Sequence, residues 1–271
     1  MRISFWAESL SKDANMTVLL PEKSGAAGPY PVLYLLHGMS QDDSQWSRLT
    51  RIERYVVELP LIVVMPDGGR GYYTDAKQGL AYESHVMKDV IGFVDRFFPT
   101  IPERRGRAIG GYSMGGYGAV KLAFKHPDCF CSVVGSAGPY DLSRLLVRPD
   151  CGEEMRLIFG DDVAEGGNDI FRLAEGMDRG LLPVIRLECG TEDYLLPDSR
   201  KLHAHLGALG ISHEYAELPG AHSLSGWDPQ VPAGVEFHVR ALRAGRDSSP
   251  PRCRGCSALR NMHRERRKLG G

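Results

Sequence analysis

Long apolar runs are missing from this sequence. Nothing in its 271 residues approaches the ~20 consecutive apolar positions of a membrane span, so no membrane partner is expected. The opening stretch MRISFWAESLSKDANMTVLL has one early Arg, but Glu8, Lys12 and Asp13 interrupt it before a signal-peptide core can form. A cytoplasmic protein is expected. Charge of one sign is also scarce, with 33 Lys/Arg against 34 Asp/Glu and a formal net charge of −1. That balance hides an asymmetry. From Gly245 onward eight Lys/Arg and two Asp/Glu make a tail of +6, which leaves a body of −7. A mildly acidic body offers no footprint for nucleic acid. The tail lacks the aromatic residues of a base-stacking surface. Six cysteines show no disulfide framework. Cys129 and Cys131, two apart on an expected strand, would point to opposite faces, and Cys189 lies in a second apolar strand. Reduced, packed thiols are expected. No internal repeat is present.

What is present is an ordinary globular composition, 42% hydrophobic and 25% charged, in a chain long enough to bury a large core. Strand-length apolar runs alternate with segments of helical period. Ile3–Leu10 and Met16–Leu20 read as an opening hairpin around Asp13-Ala14-Asn15. Val32–Leu36 and Leu61–Met65 are continuous apolar runs, the second stopped by Pro66, as expected of strands buried on both faces. Trp46–Leu59 has helical spacing. So has Tyr82–Phe98, with Val86, Val90, Phe93, Val94 and Phe97 on one face. Further strands are expected at Arg107–Gly111, Ser132–Gly135, Val184–Cys189 and Glu214–Leu218. Helices are expected at Met114–Lys125, Ser199–Leu209 and Val235–Leu242. This alternation predicts an α/β fold, a mostly parallel eight-stranded sheet with helices on both faces. Residues 1–244 form the expected catalytic domain. Within it, residues 141–182 lose the pattern and read as a small cap over the site. Residues 245–271 are Arg-rich, begin Ser-Ser-Pro-Pro after Asp247, and are expected to be a basic disordered tail. Cys253, Cys256 and His263 supply only three soft ligands at a spacing that fits no zinc motif, so no metal site is expected.

The strongest chemical signal is Gly111-Tyr112-Ser113-Met114-Gly115. A G-x-S-x-G between a strand and a helix is the setting of a nucleophile elbow, where a sharp turn exposes a serine. Gly111, Gly115, Gly116 and Gly118 let strand and helix approach. A phosphate-binding loop is excluded, because Tyr112 stands where that motif needs Lys. A serine hydroxyl is a weak nucleophile and needs a base held by a third group. In this strand–turn–helix setting the partners follow in the order Ser, acid, His. Asp193 follows the strand Val184–Cys189 and His222 follows the strand Glu214–Leu218, so Asp193 is the expected orienting acid and His222 the general base. Glu192 and Asp141 are rival acids. His126, His203, His205 and His213 are poorer bases by position. An oxyanion hole needs two backbone N–H groups. Met114, after the nucleophile, supplies one. The loop His37-Gly38-Met39 supplies the other, expected from Met39, with His37 bonding within the loop. Gly38, Trp46, Tyr72, Tyr73 and Trp227 are candidate substrate-binding residues, each equally able to be core.

These blocks resemble a known group. Leu36-His37-Gly38-Met39, Trp46, Ile62-Val63-Val64-Met65-Pro66-Asp67, Tyr72-Tyr73-Thr74-Asp75, Gly111–Gly118, Cys189-Gly190-Thr191-Glu192-Asp193 and the His222/Trp227 segment resemble the tributyrin-esterase branch of the esterase D family. That family also holds S-formylglutathione hydrolases and antigen 85 mycolyltransferases. The resemblance runs from about Ile3 to Ala244, as six separated blocks in the right order. It implies an α/β-hydrolase core and hydrolysis of short-chain acyl esters, acetyl esters of sugars among them, without a cofactor. It places the triad on Ser113, Asp193 and His222 and the oxyanion donors on Met39 and Met114. It also allows a homo-oligomer, though no heptad or apolar patch in the chain points to one. The expected partner is a small-molecule ester. A thioesterase of the S-formylglutathione hydrolase type, an acyltransferase, and a non-catalytic binding protein on the same fold are the alternatives.

Overall fold

A computed structural model describes residues 1–22 and 24–247. Eight strands form one sheet in the order β1-β2-β4-β3-β5-β6-β7-β8. They are β1 (Arg2–Ala7), β2 (Lys12–Leu19), β3 (Val32–Leu36), β4 (Ile62–Pro66), β5 (Arg107–Tyr112), β6 (Ser132–Ser136), β7 (Val184–Gly190) and β8 (Glu214–Leu218). β1 and β2 run antiparallel at one edge, and β4 to β8 with β3 are parallel. This is the α/β-hydrolase architecture expected from the alternation of runs.

The central parallel strands β3, β4, β5 and β6 are buried on both faces, which explains the continuous apolar runs of β3 and β4. In β3, Val32, Tyr34 and Leu36 face one core with Val86, Val90, Val94 and the helix Met114–Lys125. Leu33 and Leu35 face the other, with Val231, Val235 and Leu242 of the helix Val231–Asp247. Val86, Val90 and Val94 are fully buried. Each contributes about 1.5–3 kcal/mol of apolar burial.

Several local expectations need correction. The first hairpin turns at Glu8–Ser11, where Ser11 takes a left-handed φ of 52°, and Asp13-Ala14-Asn15 lie inside β2. Burial of Ala7, Leu10 and Ala14 against Tyr82 fixes that register. The helix expected over 46–59 is two short ones, Gln45–Leu49 and Ile52–Val56. The Arg51 N–H between them donates to Asp228 instead of continuing the helix. The run over 82–98 is helical but wound as a π-helix at His85–Val90, and Phe97 is 59% exposed rather than on the buried face. Cys129 and Cys131 precede β6 rather than lying on a strand. Cys131, Cys151 and Cys189 are free thiols. Short helices between Ser143 and Leu181 fill the stretch of weak pattern. The last helix runs to Asp247, three residues into the segment read as tail. Cys253, Cys256 and His263 lie outside the described residues. No described helix is long and apolar enough to cross a membrane.

One buried base gives this fold a pH response. His238, on the sheet-facing side of the last helix, is 2% exposed and shares a 2.7 Å hydrogen bond between Nδ1 and Ser132 Oγ. Burial pushes its imidazole down to about 3. On unfolding, the ring takes up a proton below about pH 6.5, while the folded ring stays neutral. The unfolded state therefore binds more protons in that window, and stability falls as pH falls through it. Lowering the pH from about 7.5 to about 5 should remove about 2 kcal/mol through this residue. Thermal melts of wild type and His238→Gln at both pH values check this. The variant should lose less stability on acidification, and equal losses in both proteins would contradict it.

Candidate active site

Parallel strands deliver their loops to one edge of the sheet, and the expected site residues meet there. Ser113 follows β5 and precedes the helix Met114–Lys125, with φ 57° and ψ −123°. Few non-glycine residues adopt that conformation, and it is the strained elbow that turns a serine out of the chain. The glycines have identifiable reasons. A Cβ on Gly116 would lie 2.6 Å from the Ser136 carbonyl oxygen, and one on Gly115 would lie 2.6 Å from the Leu36 carbonyl carbon. Helix and sheet touch backbone to backbone at these points.

His222 follows β8. Its Nε2 lies 2.9 Å from Ser113 Oγ, and its Nδ1 lies 2.8 Å from Asp193 Oδ2 and 3.0 Å from Oδ1. With Nδ1 donating to the carboxylate, Nε2 is free to accept the serine proton. The Asp193 side chain is 1% exposed, and its Oδ1 also accepts the Leu195 N–H at 2.8 Å. The imidazole is flanked by the Tyr112 ring at 5.1 Å and the Tyr194 ring at 4.6 Å.

The rival residues are engaged elsewhere. Asp141 pairs with Lys201 at 2.6 Å, and Glu192 is exposed beside Thr191. His126 meets Glu83, His203 meets His213, and His205 meets the Phe171 carbonyl.

The loop after β3 is pinned from several sides. The Gly38 N–H donates to Gln45 Oε1 at 2.7 Å and is thereby committed. His37 Nδ1 donates to the Gly38 carbonyl at 2.8 Å, and its Nε2 accepts the Gly68 N–H at 2.8 Å. Tyr73 Oη donates to the His37 carbonyl at 2.9 Å, and buried Lys121 Nζ donates to the Tyr73 carbonyl at 2.5 Å. A Cβ on Gly38 would lie 3.5 Å from Ser113 Cβ, so the loop sits directly against Ser113. The next N–H after Gly38 is that of Met39. Met114 is the first residue of its helix, where an N–H has no intrahelical partner.

The candidate pocket residues divide. Tyr72, though only 3% exposed, lies at the site, with Oη 3.8 Å from Met39 Sδ and its ring packed on Tyr117 and Phe159. Trp46, Tyr73 and Trp227 do not line a pocket mouth. They are buried at 4%, 0% and 1% exposure. Trp46 Nε1 donates to the Leu36 carbonyl below the loop, Tyr73 braces His37, and Trp227 Nε1 donates to Glu188. Their bulk packs the floor beneath the site. Sequence reasoning missed Gln45, Tyr194 and Glu188. Only Glu188 left a signal, as a charge in the otherwise apolar end of β7. Among the described residues no group of three or more His, Cys, Asp or Glu could hold a metal ion.

Comparison with known proteins identifies relatives of the chain. The model of the Esterase family matches residues 7–238. An acetyl esterase of Caldicellulosiruptor saccharolyticus is 27% identical over 258 residues, covering 88% of this chain and 97% of that protein. Among solved structures, the substrate-bound fluorophosphonate-binding serine hydrolase F of Staphylococcus aureus superposes with a TM-score of 0.81 at 27% identity, over 88% of this chain and 97% of that one. An S-formylglutathione hydrolase of Staphylococcus aureus gives a TM-score of 0.78 at 26% identity, over 88% and 98%. The chain belongs to the Esterase family and is a serine carboxylic ester hydrolase of the α/β-hydrolase fold.

Proposed function

We propose that this enzyme hydrolyses short-chain acyl esters, tributyrin-like and acetyl esters among them, through an acyl-enzyme on Ser113. The observation that carries this is the continuous hydrogen-bonded line from Ser113 Oγ through His222 to Asp193. Ser113 Oγ attacks the ester carbonyl carbon while His222 Nε2 takes its proton. Negative charge moves to the carbonyl oxygen, which the N–H groups of Met39 and Met114 receive. The tetrahedral species collapses, the alcohol leaves with the proton from His222, and Ser113 keeps the acyl group. Water, deprotonated by His222, repeats the sequence and releases the carboxylic acid. Asp193 holds the imidazole in the tautomer that makes each transfer possible.

The short-chain reading rests on packing. Tyr72, Tyr73, Trp46 and Trp227 fill the volume beneath the nucleophile with rigid rings, and Tyr72 touches the oxyanion loop through Met39. Residues 141–182 act as a small cap in this reading. Their helix Gly152–Phe159 is tied to the oxyanion loop by Arg70, which pairs with Glu154 at 2.6 Å and also meets Ser40 Oγ. Buried free thiols at Cys131, Cys151 and Cys189 suit a cytoplasmic enzyme.

Assays on p-nitrophenyl esters from acetate to dodecanoate test the substrate class. kcat/KM should peak at two to four carbons, on the order of one methylene's worth of discrimination per step, and fall steeply beyond about eight. Activity still rising beyond that length would overturn the short acyl site. The likeness to an S-formylglutathione hydrolase favours a second reading, a thioesterase on the same acyl-enzyme chemistry. S-formylglutathione assayed in parallel separates the two by their kcat/KM ratio.

A further inference from the structure

Beneath the site one buried carboxylate joins the segments that carry the nucleophile and the base. Glu188 in β7 is 2% exposed. Its Oε1 accepts from Ser136 Oγ at 2.7 Å and from Trp227 Nε1 at 3.3 Å, and its Oε2 accepts from Arg186 Nε at 2.8 Å. Ser136 ends β6, and its carbonyl accepts the Ser113 N–H at 2.9 Å. Trp227 lies on the segment after His222, and its N–H donates to the Ser223 carbonyl at 2.9 Å. Its ring stands 6.5 Å from Tyr112, whose ring flanks the His222 imidazole. The Glu188 carbonyl accepts the Ala137 N–H at 2.8 Å.

We propose that Glu188 is a positioning residue for ester hydrolysis. It fixes the separation of Ser113 and His222 by gripping Ser136 on one side and Trp227 on the other. The proposal rests on Ser113 and His222 being nucleophile and base.

Two physical arguments support it. A buried carboxylate is costly, and well-packed apolar residues often serve stability as well or better. A carboxylate oxygen, unlike an apolar side chain, takes two donors from two different segments. Moreover, side chains alone do not lock this region. Ser136, Glu188 and Trp227 border a cavity of about 30 Å³ between the sheet and the last helix. On that side the hydrogen bonds to Glu188 fix their orientation.

The test compares Glu188→Gln, Ser136→Ala, Trp227→Phe and Ser113→Ala on a short p-nitrophenyl ester, with active sites titrated by diisopropyl fluorophosphate. An amide in place of Glu188 puts an N–H donor where either Arg186 or the Ser136–Trp227 pair requires an acceptor. A shift on the order of 1 Å costs roughly 100-fold in rate. Glu188→Gln should therefore lower kcat per titrated site by about 10- to 100-fold, with KM within about twofold. The second-order rate of inactivation should slow by a similar factor. Trp227→Phe keeps an aromatic ring, though a smaller one, and loses the N–H, and should fall part of the way. A merely structural role would reduce the fraction of titratable sites and leave kcat per site unchanged, and that result overturns the proposal. If Glu188→Gln fails to fold, Ser136→Ala and Trp227→Phe decide, since each removes one donor and leaves the Arg186–Glu188 pair. Turnover retained by Ser113→Ala would mean the triad reading itself is wrong. An inactive Ser113→Ala beside wild-type kcat per site in the other variants would overturn this proposal alone.

Discussion

Replacing Ser113 by alanine should abolish ester turnover, with kcat falling on the order of 10⁶-fold, the scale seen when a triad loses its nucleophile. The variant should keep its fold. Alanine is no more strained than serine at φ 57°, and Ser113 Oγ makes its hydrogen bond to His222 at the surface of the site. Its melting temperature should therefore stay within a few degrees of wild type. His222→Ala should lose a similar factor, because an unactivated hydroxyl is a weak nucleophile. Asp193→Asn should cost about 10⁴-fold by favouring the wrong tautomer at Nδ1. The three act as one unit, so Ser113→Ala/His222→Ala should be no slower than Ser113→Ala alone. Steady-state kinetics and covalent labelling by a fluorophosphonate check all of this together. A Ser113→Ala enzyme within tenfold of wild type would show that another group carries the chemistry.

Much of this site is legible in the sequence, because it is built from strand ends. Apolar runs locate β3, β5, β7 and β8, and parallel pairing puts their C-termini on one edge. His37, Ser113, Asp193 and His222 each follow such a run, so their meeting needs no knowledge of side-chain packing. Direction of burial is less legible. Trp46, Tyr73 and Trp227 stand beside site residues in sequence, yet each points into the core and braces a backbone carbonyl or a buried carboxylate. An aromatic residue serves as wall or as floor with the same letter, and only the course of the chain decides which. Phe97 illustrates the converse. Its spacing fits the apolar face of a regular α-helix, and Val94 on that face is buried, but Phe97 is the last residue of the helix and is exposed. The loop after β3, the proposed oxyanion loop, shows a third limit. Its rigidity comes from Gln45, Gly68, Tyr73 and Lys121, contributed by three other segments. Contacts between such distant segments leave no local pattern. Lys121 and Glu188 are detectable only as charges inside apolar elements, and their partners are not detectable at all.

The close approach of the elbow helix to β3 leads to the second large effect. Gly115→Ala should destabilise the protein and cripple it together. The new methyl carbon would lie 2.6 Å from the Leu36 carbonyl carbon and 2.8 Å from the His37 carbonyl oxygen. Both belong to backbone, so no side chain can rotate away. Helix and strand must separate, at a cost of about 3 kcal/mol by the scale of overpacked cores. In a chain of this size that lowers the melting temperature by about 6–12 °C. The same separation moves Met114 away from Met39, and a displacement on the order of 1 Å between these proposed oxyanion donors costs about 100-fold in kcat. Gly92→Ala is the matched control. Gly92 is also helical, in Ile91–Phe97, but a Cβ there meets nothing within 4 Å. It should gain about 0.5–1 kcal/mol from restricted backbone freedom and leave catalysis unchanged. Calorimetry and p-nitrophenyl acetate kinetics on both variants separate the effects. Helix propensity alone would make the two substitutions equally stabilising. Steric contact with β3 predicts opposite signs. A Gly115→Ala protein that melts with wild type and retains its kcat would mean that helix and strand can part freely, and that the glycines of the elbow are not what holds Ser113 and the oxyanion loop in register.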